Sequence, residues 1–178
     1  MERQFVGLGQ QKHQNQRIGV FVDCANIQIS AKRVYQSGLN YADILLAATD
    51  SRKLAYAIVY CVESEDSEPG AYYEFLRKSG YDVKIKDLKV FRDGSKKGDW
   101  DIGICIDVII LSEMLDTVVL VTGDGDFLPL VEYLKNRGKR VEVMSIRETT
   151  AGKLIEAADS YQDLGQDGVF LYFKEPAY

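Results

Sequence analysis

The chain predicts an α/β fold, with a mainly parallel central sheet between two layers of helices. Three observations carry this expectation. The runs IGVFV (Ile18–Val22) and TVVLV (Thr117–Val121) are short, apolar and β-branched, as strands covered on both faces are. Strand-like and helix-like stretches alternate along the chain, which favours parallel strands joined by right-handed crossovers. Both runs end in aspartates, Asp23 after the first and Asp124 and Asp126 after the second. Open α/β sheets bind ligands beyond the carboxyl ends of such strands, at the point where strand order reverses.

Taken in order, a polar, Gln-rich leader over residues 1–16 is expected to be flexible and to precede the first strand. A helical stretch follows from Asn26 to about Gln36, then a turn at Gly38-Leu39-Asn40, where Asn40 suits the cap of a helix over Tyr41–Thr49. Leu54–Val62 reads as the second strand. Pro69 suits the first turn of the next helix, which Gly80 ends. Tyr81–Leu88 alternates apolar and charged residues, the pattern of a half-exposed edge strand. The loop Phe91–Asp99 is basic, and Trp100–Met114 is an apolar helix. After the fourth strand, Thr117–Val121, a helix starts at Asp126 and stops at Gly138, with Pro129 tolerated in its first turn. Arg140–Ile146 is the fifth strand, and Thr149 or Thr150 caps a helix carrying LIEAADSYQDL. One body, residues 17–164, is therefore expected, with an aromatic tail over residues 165–178 that forms a docked strand or an oligomer contact. Numbering the five strands as they occur, an order of 3-2-1-4-5 sets the first and fourth side by side. That order follows from the need to bring their aspartates together; the pattern alone does not force it.

Composition narrows the chemistry. The chain has 178 residues, long enough to bury a substantial core in one domain. No stretch approaches the roughly 18 apolar residues of a membrane span, and no signal-peptide core opens the chain, so a cytoplasmic protein without a membrane partner is expected. The three cysteines show no CxxC spacing and lie in apolar segments, as reduced structural thiols do. The single histidine, His13, falls in the leader, which sets aside histidine-dependent catalysis and histidine-rich zinc sites. Net charge is −5, against broad electrostatic binding of nucleic acid. Four candidate site aspartates supply −4 of it, and one or two bound divalent cations would offset most of that charge where a phosphate approaches.

Those four are Asp23, Asp101, Asp124 and Asp126. Clustered carboxylates repel unless a cation holds them, so they point to a hard divalent ion, Mg²⁺ or Mn²⁺. Each has a plainer alternative. Asp23 and Asp126 suit helix caps, and Asp101 heads an apolar helix where it complements the dipole. Asn26 and Thr122 stand where they can orient a carboxylate or contact phosphate, or simply make turns. Asp107, six residues after Asp101, lies roughly 120° round the helix and about 9 Å along it, which suits an outer acceptor or ion-pair partner. Trp100 suits either a core anchor or a base-stacking surface. The stretch from Lys84 to Lys97 is the one strongly basic segment, and it leads into Asp101. Lys89, Arg92, Lys96 and Lys97 are its candidate RNA-backbone contacts, the alternative being a solvated loop.

Together, FVDCAN, KKGDWD, TGDGDF and LIEAADSYQDL, in that order, resemble the NYN domain family, in its LabA-like branch, within the PIN-like nuclease fold. The resemblance covers Arg17 to Leu164. The family pattern Lys-Gly-x-Asp is one residue longer here, Lys97-Gly98-Asp99-Trp100-Asp101, so Asp99 competes with Asp101 as ligand; Asp101 is preferred because it directly precedes the helical pattern. The resemblance implies a PIN-like, Rossmann-like fold and a metal-dependent ribonuclease that cuts phosphodiesters of single-stranded RNA with metal-activated water. Two other functions stand beside it: a regulatory or protein-interaction module with a weak or vestigial site, and a small-molecule phosphatase or phosphotransferase with Asp23 as nucleophile; under any of the three, the aromatic tail leaves room for a homo-oligomer. Against the last, FVDCAN has no second carboxylate two residues after Asp23.

Overall fold

Short β-branched apolar runs satisfy their backbone groups by pairing with neighbouring strands in a sheet covered on both faces, and the chain stacks its runs accordingly. The computed structural model describes residues 14–63, 69–87, 89–90, 96–97, 99–166 and 170–172. Its sheet has six parallel strands: β1 (Arg17–Asp23), β3 (Lys53–Val62), β4 (Asp82–Lys86), β7 (Thr117–Val121), β8 (Arg140–Ser145) and β9 (Ser160–Asp163). They stand in the order β4-β3-β1-β7-β8-β9. The five expected strands take the expected order, with β9 added at the far edge. Among the described residues two short antiparallel pairs stand outside this sheet, β2 (Gly38–Leu39) with β10 (Leu171–Tyr172), and β5 (Lys89–Val90) with β6 (Lys96–Lys97).

Side chains alternate across β1 and define two cores. Ile18, Val20 and Val22 face one side, where α1 (Cys24–Tyr35), α2 (Tyr41–Thr49) and α3 (Pro69–Lys78) contribute Ile27, Ile44 and Leu76. Phe21 faces the other, against α4 (Asp101–Ser112), α5 (Leu128–Asn136) and α6 (Gly152–Ala157), which contribute Val108, Val131 and Leu154. Asn40 caps α2 as expected, its Oδ1 accepting from the Asp43 N–H at 3.3 Å. After α3 the backbone turns at Gly80, whose φ of +100° suits glycine.

The last expected helix is shorter than its sequence suggests. It ends at Ala157, and Ser160–Asp163 becomes β9. The edge of β8 demands partners: the Asp159 N–H donates to the Val141 carbonyl at 2.8 Å, and the Val141 N–H donates to Asp159 Oδ2 at 2.8 Å. Neither Thr149 nor Thr150 caps α6; the cap position is Ala151, and the Thr150 hydroxyl donates instead to the Ile146 carbonyl at 2.6 Å. In the tail, Leu171 and Tyr172 pair with β2, and Phe170 and Leu171 are buried in the α1–α3 core.

Candidate active site

Strand order reverses between β1 and β7, since one connection from β1 leads to β3 and the returning chain enters β7 on its other side. The crevice beyond their carboxyl ends is therefore open to ligand. Asp23 ends β1 there, and the loop Thr122–Asp126 leaves β7 there. The start of α4 delivers Asp101 to the same place.

Carboxylate oxygens of Asp101, Asp124 and Asp126 all lie within 4.8 Å of one another, the one such acidic group among the described residues. Asp23 is not one of the three, although it is the acid that opens the motif. It is only 8% exposed and sits behind them, with both oxygens engaged. Its Oδ1 accepts from the Asn26 N–H at 3.2 Å, making it the cap of α1, and its Oδ2 accepts from the Thr122 hydroxyl at 3.4 Å. Burial chiefly pushes the Asp23 carboxyl up to about 6, and the nearby Asp101 and Asp124 add to this, against the two hydrogen bonds. Asp101 is likewise raised, first by burial and then by Asp99, Asp124 and Asp126. The like-charge part of both shifts is what a cation among the carboxylates would relieve.

Short polar bonds hold the loop. Asn26 Oδ1 accepts from the Gly123 N–H at 2.9 Å, and Thr122 Oγ1 accepts from the Asp124 N–H at 3.2 Å. Asp124 Oδ1 accepts from the Asp126 N–H at 2.9 Å and so caps the 3₁₀ turn Gly125–Phe127 that precedes α5. The turn's cap is thus Asp124, and the exposed Asp126 side chain is left for the crevice. Gly123 fits because a side chain there would press on Thr150, whose backbone Cα lies 3.2 Å from the ideal Cβ position.

The basic segment divides. Lys84 Nζ pairs with Asp107 Oδ2 at 2.6 Å, and the Tyr60 hydroxyl donates to the same oxygen at 2.8 Å. Lys86 donates to the Asp99 carbonyl at 2.8 Å and lies over the Trp100 ring. Trp100 donates its indole N–H to the Cys61 carbonyl at 2.8 Å and packs on Tyr60. Trp100 is therefore an anchor against β3, and Asp107 an ion-pair partner that ties α4 to β3 and β4. Tyr60 was not anticipated; its only signal is a polar tip within an apolar strand. Lys89, Lys96 and Lys97 lie in the β5–β6 hairpin, described by backbone alone, and Arg92 falls outside the described residues. Between Asp99 and Asp101, it is Asp101 that joins the acidic group.

The NYN domain family model matches residues 17–165, the whole of the expected α/β body. The chain belongs to the NYN domain family. Low amplitude and bright protein LabA of Synechococcus elongatus is 31% identical to this NYN protein over 125 residues, 67% of each chain, which supports the LabA-like branch. An uncharacterized protein of Methanocaldococcus jannaschii is 32% identical over 72 residues, 39% of this chain and 30% of that one. Among solved structures, a protein of unknown function from Vibrio parahaemolyticus superposes with a TM-score of 0.81 at 34% identity, covering 90% of this chain and 99% of its own. The PIN-like α/β fold is shared. No helix among the described residues is long and apolar enough to cross a membrane.

Proposed function

We propose that this NYN domain is a metal-dependent ribonuclease that hydrolyses phosphodiester bonds of single-stranded RNA. The observation that carries the reading is the convergence of Asp101, Asp124 and Asp126 within 4.8 Å at the switch point of the sheet, with Asp23 buried behind them. The donor set is all carboxylate oxygen, which suits Mg²⁺ or Mn²⁺ over softer metals. Asp101, Asp124 and Asp126 would hold the ion, with Asp23 as the fourth acid. A divalent ion bound there supplies Lewis-acid polarisation of the phosphoryl group and a water of lowered pKa.

The chain's own groups do the rest. Asn26 and Thr122 lock the loop that presents Asp124, and the Trp100–Tyr60–Asp107 brace fixes the start of α4 and thereby Asp101. The helices α1 and α4 both begin at the crevice, so their N-terminal dipoles favour the approach of a phosphate despite the acids. Lys89, Arg92, Lys96 and Lys97 immediately precede Asp101 in sequence and supply the positive charge for an RNA backbone. The phosphatase alternative is weakened because both oxygens of Asp23 are engaged by Asn26 and Thr122. The test is cleavage of end-labelled single-stranded RNA with Mn²⁺, with EDTA, and by Asp124→Asn, which keeps the cap of the 3₁₀ turn. Cleavage that requires Mn²⁺ and disappears in Asp124→Asn supports the proposal. Absence of Mn²⁺-dependent cleavage, or full activity in Asp124→Asn, overturns it.

A further inference from the structure

An outer-layer helix normally turns a charged face to water. The face of α4 that points away from the sheet does not. Ile102, Ile106, Ile109 and Ile110 are 74%, 52%, 38% and 61% exposed, while Ile104 and Val108 cover the core. The spacing i, i+4, i+7, i+8 places the four isoleucines in one stripe along the helix. Met114 extends it at the C-terminal end, and Tyr133 of α5 is exposed on the neighbouring helix. α4 itself holds no lysine or arginine.

From these residues we infer that α4 is the interface of a symmetric homodimer, with the isoleucine stripe of one copy packed on that of a second. Area supports this occupant. Taking about 180–230 Å² for a fully exposed isoleucine, methionine or tyrosine, the patch offers about 600 Å² of apolar surface per protomer, at the top of the range for a monomer's largest patch. A standard interface buries about 800 Å² per partner, with a polar rim around an apolar centre. The stripe is that centre, and Glu113, Asn136 and Arg137 at its C-terminal end are rim residues. A straight row of like side chains is also self-complementary, which an isologous contact requires.

Other occupants fit less well. A membrane surface selects helices rich in lysine and arginine on their own polar face, and α4 itself holds neither. RNA needs cations or aromatic platforms, and this stripe is aliphatic. The chain's own tail leaves from the opposite side of the sheet, where Phe170 and Leu171 are buried in the α1–α3 core. In an antiparallel pairing the two Asp101 sites stand at opposite ends, roughly 20 Å apart along the helices, so both crevices stay open.

Sedimentation velocity of the full chain from about 1 to 100 µM tests the inference. The expected result is a concentration-dependent dimer, with Ile106→Glu monomeric over the same range and unchanged in circular dichroism. In a Cys105→Ser background, Ile106→Cys should form a disulfide-linked dimer under mild oxidation, whereas Lys32→Cys on the opposite face should not. The second variant decides the matter if Ile106→Glu fails to fold. A wild-type chain that stays monomeric throughout, a dimer undiminished by Ile106→Glu, or no cross-link through Ile106→Cys overturns it.

Discussion

Replacing Asp23 by asparagine should make the metal-free protein more stable at pH 8. The carboxyl is 8% exposed, and burial raises it from 3.8 to about 6. A raised folded pKa means that the native state binds the proton more tightly than the unfolded chain. The advantage of the protonated acid is then complete below about pH 4 and lost as pH rises to about 6. At about 1.4 kcal/mol per unit, the ionised carboxylate costs the fold about 3 kcal/mol above that window. Asparagine resembles the protonated acid in shape. Its Oδ1 can still accept from the Asn26 N–H, and it caps as well as aspartate does. The expected gain at pH 8 is about 2–3 kcal/mol, or a rise in Tm of about 4–10 °C for a chain of this size. By pH 4 the difference should nearly vanish. Scanning calorimetry with EDTA at pH 4, 6 and 8 measures it. Added Mn²⁺ should stabilise the native protein more than the variant, because the variant has lost one of the repelling charges that the ion relieves. A variant less stable than the native protein by 1 kcal/mol or more at pH 8 would refute the reasoning and leave Asp23 as a cap whose charge the fold needs.

Three further outcomes are expected. Asp126→Asn should lower RNA cleavage by roughly a hundredfold or more while leaving the metal-free Tm unchanged or raised, since Asp124, not Asp126, caps the 3₁₀ turn; cleavage and melting assays on the same preparation check both halves. Replacing Lys96 and Lys97 by alanine in that inactive background should weaken RNA binding without regard to sequence and flatten the log–log salt dependence by about 0.7 per lost phosphate contact, read from binding isotherms at several salt concentrations. Glu142→Ala should cost about 3–5 kcal/mol in urea unfolding, because it takes from the buried Arg52 guanidinium the carboxylate that it meets through two bonds of 3.1 and 2.9 Å and leaves it only the Ala48 and Thr49 carbonyls.

The contrast between Asp126 and Glu142 also marks how far the chain could be read without coordinates. Strands betray themselves locally. A run such as IGVFV or TVVLV is too apolar to be anything but buried, and Asn40 or Gly80 announces an element's end by chemistry that acts within a few residues. From these local signals came the parallel sheet and the four candidate aspartates, while the order of five strands needed the further argument that the aspartates must meet. What the sequence could not supply were the relations set by distance through space. Ser160–Asp163 carries a helical pattern, yet it became a strand because the open edge of β8 offered backbone partners. Of the four candidate aspartates, Asp23 stays outside the close group of Asp101, Asp124 and Asp126, because its oxygens accept from the Asn26 N–H and the Thr122 hydroxyl, while the brace of Trp100 on Cys61 and of Asp107 on Lys84 decides where α4 begins over the crevice. The basic segment from Lys84 to Lys97 serves in part as that brace, Lys84 pairing with the Asp107 carboxylate and Lys86 donating to the Asp99 carbonyl. Arg52 and Glu142 stand 90 residues apart, and no periodicity marks either one. Periodicity and capping are properties of a few neighbouring residues. Which carboxylate meets which cation depends on side chains brought together by the packing of the whole sheet, and only the folded chain sets those distances.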